Sequence, residues 1–83
     1  MYTVYILKSL KDLSRHYIGI TVNLEKRLKE HNARQSVYSS IYAPWELETY
    51  IVFKDKKLAK DFENYLKRGS GSAFLKKRLI RAK

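Results

Sequence analysis

Eighty-three residues, 45% hydrophobic and 13% aromatic, describe one folded domain over residues 1–83, near the lower size at which a core sustains itself, and exclude a disordered chain. Eighteen Lys and Arg against eight Asp and Glu leave a net charge of +10, an excess that favours a polyanion such as nucleic acid. The lack of cysteine excludes disulfides and thiolate zinc sites, and no apolar run reaches the roughly 20 residues of a membrane span, so a cytoplasmic protein without a membrane partner is expected.

The opening MYTVYILKSL is too short and too polar in pattern for a secretory leader. Within it, residues 2–8 are β-branched and aromatic and read as a strand, with Val4 and Ile6 on one face and Tyr5 and Leu7 on the other. SLKDLSR is a polar connection and HYIGI a second strand, which makes the first twenty residues a hairpin. Thr21 or Asn23 can cap the helix that follows, and Glu25 in its first turn suits the helix dipole. That helix runs to about Ala33, with Leu24 and Leu28 marking its buried stripe. Residues 34–44 form a Ser- and Tyr-rich loop ending at Pro44. WELETYIVFK is a third strand, nearly all apolar in its second half, as a well-buried strand would be.

Asp55 caps a second helix whose apolar residues Leu58, Ala59, Phe62, Tyr65 and Leu66 follow helical spacing. GSGS at 69–72 breaks it, with Gly69 suited to a helix end and Ser72 to the next cap, and a last helix covers about 73–81. The order is ββαβαα, an α/β (α+β) domain with helices packed on a small sheet. Charge is uneven along it. Residues 1–55 hold eight basic and six acidic side chains, residues 56–83 ten and two. A solvated basic face would account for this blandly, and an anionic membrane surface is disfavoured because AFLKKRLIRAK is short and ordinary as a terminal helix.

Five polar residues need explaining together: Tyr5, Tyr17, Arg27, His31 and Glu63. Each has a plain structural reading. Tyrosine favours strands, Arg27 can cover apolar surface with its stem, and His31 suits a helix C-terminus. Glu63 sits about 40° around its helix from Ala59, at the edge of the apolar stripe, where a solvated carboxylate is common. Their spacing is more informative. Arg27 and His31 fall at i+3 and i+7 from Leu24, on the stripe where a merely packing helix would be apolar. Arginine offers a fork of donors to a phosphate, glutamate a hard oxygen to a divalent cation, and histidine and tyrosine proton-transfer groups.

TVYIL at 3–7, YIGI at 17–20 with eleven residues between Tyr5 and Tyr17, LEKRLKEH at 24–31 and the glutamate of DFENYLK at 61–67 together resemble the GIY-YIG nuclease superfamily. PWELETYIVF and FLKKRLI extend the resemblance, over nearly the whole chain, to the small stand-alone bacterial members of that group. The chain departs from the pattern at Thr3, where the first motif has glycine, and at Tyr38, where some members place a second histidine.

The resemblance implies a three-stranded antiparallel sheet flanked by three helices, and metal-dependent hydrolysis of DNA phosphodiester bonds by an endonuclease, with a place in DNA repair or the processing of structured DNA. Tyr5 and Tyr17 would line the site, Arg27 contact the scissile phosphate, His31 assist from the same helix face, and Glu63 hold a single, mostly hydrated Mg²⁺ or Mn²⁺ ion. Either tyrosine, or His31, would take the proton of the attacking water; a tyrosine with its usual pKa of about 10 would need that value depressed. The competing reading is a non-catalytic nucleic-acid-binding module, in which Tyr38, Tyr42 and Trp45 stack on bases, although Trp45 beside Pro44 reads better as core. Such a module has no use for Glu63. DNA is the expected partner, RNA an open alternative, and a domain of this size needs weak specificity or a helper such as a second copy.

Overall fold

The computed structural model describes residues 1–33 and 37–80. The β-branched and aromatic start of the chain forms β1 (Tyr2–Ser9), which pairs antiparallel with β2 (His16–Thr21) on one side and β3 (Trp45–Phe53) on the other. The order β2-β1-β3 makes β1 the central strand. Its alternation therefore feeds two cores, one per face. Val4 and Ile6 pack with Ala59, Leu66 and Leu75, while Tyr5 and Leu7 pack with Ala43 and Trp45. Thr3 sits in regular pairing between Thr21 and Val52, so the glycine of the family motif is not required here.

Helix α1 (Leu24–Asn32) covers the Tyr5 face and begins at Asn23, whose side chain accepts from the Lys26 amide. Helix α3 (Lys56–Leu66) covers the Val4 face and begins at Asp55, which accepts from the Lys57 amide. Both caps satisfy amides that the first turn leaves without partners. Among the described residues no helix is long and apolar enough to cross a membrane.

The expected order ββαβαα holds, with four local departures. The segment read as a loop contains a short helix, α2 (Val37–Tyr42). Its serines and β-branched residues are poor helix formers, and tertiary contacts hold its end instead. The Ser9 hydroxyl donates to the Tyr42 carbonyl at 2.6 Å, and the Tyr42 ring lies 6.5 Å from that of Trp45. The side chain of Tyr38 lies outside the described residues.

The third strand is not the well-buried one. With β1 in the centre, β3 is an edge, and Tyr50 and Val52, on the same face as Tyr5, are about half exposed. On α3 the buried positions are Ala59, Glu63 and Leu66, whereas Leu58 and Tyr65 face solvent at 57% and 43% exposure. The stripe is thus rotated toward Glu63, which is not at its solvated edge. Finally, GSGS does not separate two helices by a Ser72 cap. Helix α4 (Gly69–Phe74) starts after Arg68, contains the whole GSGS stretch and runs into a π-helical turn at Leu75–Leu79, with the backbone extended at Ile80. Gly69 has φ +41°, and a side chain at Gly71 would land on the Tyr65 carbonyl, so α4 folds back directly onto α3 where the spacing suggested a break.

Candidate active site

The hairpin register sets Tyr17 opposite Leu7 and Gly19 opposite Tyr5, so both tyrosines project to the face covered by α1. Gly19 is needed at that place because a Cβ there would overlap the Tyr5 hydroxyl, which crosses β2 on its way to α1. There Arg27 and His31, one turn apart on the helix, meet it. Arg27 Nε–H donates to the Tyr5 hydroxyl at 3.3 Å, and that hydroxyl lies 3.1 Å from His31 Nε2. With Arg27 donating into the phenol oxygen, the phenol proton is available to Nε2 when His31 is the Nδ1–H tautomer.

The electrostatics agree with this assignment. Burial and the Arg27 charge lower the His31 pKa and keep the ring neutral. Burial raises the pKa of Tyr5, against the opposing pull of Arg27, so Tyr5 is a phenol and not the depressed tyrosinate that base catalysis by it would need. The pKa of Arg27 is raised by its bonds to Tyr5 and then Glu30, whose Oε1 accepts from Nη1 at 3.1 Å. Two of the five guanidinium N–H groups are thereby used, and the side chain is 43% exposed, so the other N–H groups remain available to a ligand.

The rings form one stack of edges and faces. Tyr17 lies 4.4 Å from His31 centroid to centroid, and Tyr5 stacks on Tyr17 at 6.2 Å. Trp45 backs both Tyr17 and His31 and is 3% exposed, which makes it core and not a base-stacking platform. Exposure divides the set. Tyr5 is 1% and His31 5% exposed, while Tyr17 is half-buried and lines a groove of about 300 Å³ with His16, Ile18 and Lys67.

Glu63 approaches from the opposite side of the sheet, on α3, which packs against β1 and β2. Its negative charge reaches Tyr5, where it adds to the rise in that phenol's pKa, and its partner Lys67 lies beside Tyr17 in the groove wall. The carboxylate is 4% exposed, and its oxygens accept from Lys60 Nζ at 2.9 Å and Lys67 Nζ at 3.1 Å. Burial pushes its pKa up, but the two lysines prevail and hold it below the ordinary carboxylate value. Among the described residues no three His, Asp or Glu side chains converge as a metal-binding group. Glu63 nevertheless fits a hard, largely hydrated cation, since it is an ionised carboxylate whose two oxygens already face positive charge.

Sequence spacing brought forward the five polar residues but passed over their supports. Glu30, Lys60 and Lys67 were within reach, as they stand three or four residues from Arg27 or Glu63 on one helix. Asn32 was not. Its amide brackets Trp45, accepting from the backbone N–H at 2.6 Å and donating to the carbonyl at 3.2 Å, and so pins the end of α1 to the start of β3 across a loop.

A family model described as the GIY-YIG catalytic domain matches residues 1–78. The chain is also similar to the structure-specific endonuclease subunit SLX1 of Debaryomyces hansenii, with 33% identity over 72 residues covering 78% of this chain. It spans about a fifth of that protein's length, 21%.

Proposed function

The chain belongs to the GIY-YIG catalytic domain family, and from that premise we propose that it is an endonuclease hydrolysing phosphodiester bonds in DNA, with one divalent metal ion held at Glu63. The observation that carries this reading is the buried Tyr5 hydroxyl shared between the Arg27 guanidinium and the neutral His31 ring. A helix that only packed would place apolar side chains there, avoiding the cost of burying polar groups. Here the polar groups satisfy one another and aim a cation outward, on a protein carrying +10.

In this reading the buried and the exposed members have different tasks. Tyr5 and His31 are positioning residues, because neither presents surface to a substrate. Tyr5 fixes Arg27 through Nε, and His31 holds the Tyr5 proton so that the phenol oxygen keeps its lone pairs toward Arg27. The free fork of Arg27 binds the scissile phosphate and stabilises the charge that grows on it. Tyr17, the tyrosine that reaches the groove, orients the attacking water and takes its proton while releasing its own to solvent. When bound, a Mg²⁺ or Mn²⁺ ion supplies Lewis-acid polarisation of the phosphate and stabilisation of the leaving oxygen. Glu63 is the side chain that would hold it.

The name of the Debaryomyces relative supports branched or otherwise structured DNA as the substrate class, and a role in repair or processing of such DNA follows. A domain this small has little footprint for reading a long sequence. The test is cleavage of linear, supercoiled, single-stranded and branched DNA with Mg²⁺ or Mn²⁺, by wild type, Arg27→Ala and Glu63→Gln. Cleavage by wild type alone, abolished by chelator and favouring branched DNA, is expected. Binding without cleavage in all three proteins would instead assign the chain to the non-catalytic nucleic-acid-binding class.

A further inference from the structure

Ion pairs at i,i+3 and i,i+4 recur on this protein, and most are surface decoration. Lys29–Glu25 and Lys57–Asp61 have both partners open to water and contribute little. The Glu63 cluster is different in kind. One buried carboxylate is met by two ammonium groups, one on each oxygen, while the lysine side chains themselves are 57% and 46% exposed. Lys60 comes from a turn before and Lys67 from a turn after, so the two heads close over the carboxylate from both ends. With the carboxylate this buried and a nitrogen on each oxygen, a cation reaching Glu63 competes with these two ammonium groups. The lysines can give way, since long exposed stems swing to water at small cost. Lys67 has a second place to go, because it already forms part of the wall of the Tyr17 groove.

We propose that Lys60 and Lys67 are competitive guard cations: they occupy the two oxygens of Glu63 in the metal-free protein and must be displaced before a divalent ion binds there, Lys67 then turning into the groove beside Tyr17. This rests on the reading of Glu63 as the metal-holding residue. Its consequence runs against intuition for a helpful pair of residues, in that removing them strengthens metal binding. It also explains how a carboxylate can be kept buried and ionised, because its charge is paired with the two lysines.

The test is Mn²⁺ binding to the full chain without DNA, read from the electron paramagnetic resonance signal of the free ion. Lys60→Met/Lys67→Met is expected to bind Mn²⁺ about three- to thirtyfold more tightly than wild type, with each single variant between, since each contact of this kind is worth up to a few-fold in affinity. Lys60→Arg/Lys67→Arg keeps the competing charges and is expected to stay near wild type. A merely structural role for the lysines would lower the melting temperature and leave Mn²⁺ affinity alone. Glu63→Gln separates the two levels. If it loses Mn²⁺ binding while the double Met variant binds no more tightly than wild type, the guard role is overturned and Glu63 stands as the ligand. If Glu63→Gln binds Mn²⁺ as wild type does, or if no protein of the set binds it, the reading of Glu63 fails and the guard role with it.

Discussion

The Tyr5 hydroxyl is the smallest unit on which the candidate site turns, since both Arg27 and His31 hydrogen-bond to it. Tyr5→Phe keeps the ring that fills the core and removes only that atom. It is expected to cost about 1 kcal/mol of stability and to slow cleavage by roughly tenfold or more through a loosened Arg27, as single-turnover kinetics beside a thermal melt would show. On the proposed reading Arg27→Ala removes the group that would meet the phosphate, so a loss of about 10²–10³ in cleavage is expected. Its side chain is 43% exposed and its Glu30 pair lies at the surface, so the melt should barely move. A structural arginine would give the reverse pattern. On the same reading His31 is expected to set the acid side of the pH dependence. Its pKa is lowered from 6.5 by burial and by Arg27, so protonation comes only on further acidification. The imidazolium then has no lone pair for the Tyr5 proton. The pH profile of kcat/KM is therefore expected to fall on an acid limb lying below 6.5.

Two helices dock on opposite faces of β1, and each carries part of the site. On α3 the apolar spacing alone weighted Leu58 and Leu66 equally. The structure separates them, with Leu66 at 1% exposure against 57% for Leu58. Leu66→Ala is expected to destabilise by roughly 2–5 kcal/mol because it opens a cavity beneath the sheet, whereas Leu58→Ala should stay within about 0.5 kcal/mol. Denaturant titration of the pair checks the orientation of α3, and with it the burial of Glu63. On α1 the equivalent fixings are polar. Asn23 starts the helix, Asn32 clamps its end to Trp45, and between them Arg27 and His31 are held at the height of Tyr5.

At the scale of the molecule, two properties are collective. The first is charge: ten of the eighteen basic residues fall in residues 56–83, with only two acidic ones among them. DNA affinity should accordingly fall linearly in log–log form with salt, the slope counting the phosphates neutralised at about 0.9 each for duplex DNA. Filter binding in Ca²⁺ across a salt series would measure it. A salt-independent affinity would exclude phosphate contacts as its source. The second is the pH dependence of folding. His16 and His31 both have pKa values lowered from 6.5, chiefly by burial, so the unfolded chain takes up protons before the native one does. Their contribution is fully present above 6.5 and is lost as pH falls below it. Glu63, held below 4.5 by its lysines, adds stability that is present above that value and lost on further acidification. Urea midpoints should therefore decline in two stages between neutral pH and strong acid.

What the residues could specify by themselves was whatever is local in sequence or carried by a motif: the strand alternation of β1, the Asp55 cap and the choice of Asn23 or Thr21, the order ββαβαα, and the five polar residues of the candidate site. Period-2 and period-3.6 patterns and capping chemistry act over a few residues, so they can be read without knowing the neighbours. Tertiary structure decided what depends on distant partners. It made β3 an edge by placing β1 in the centre, ended the loop after α1 in a short helix held by Ser9 and Trp45, folded GSGS into α4 against Tyr65, and turned α3 so that Glu63 and not Leu58 is buried. It also separated the two tyrosines, which look alike in sequence, into one sealed beneath Gly19 and one open to the groove. Burial is a property of everything that packs around a side chain, and a pattern along one helix or strand contains only half of each contact.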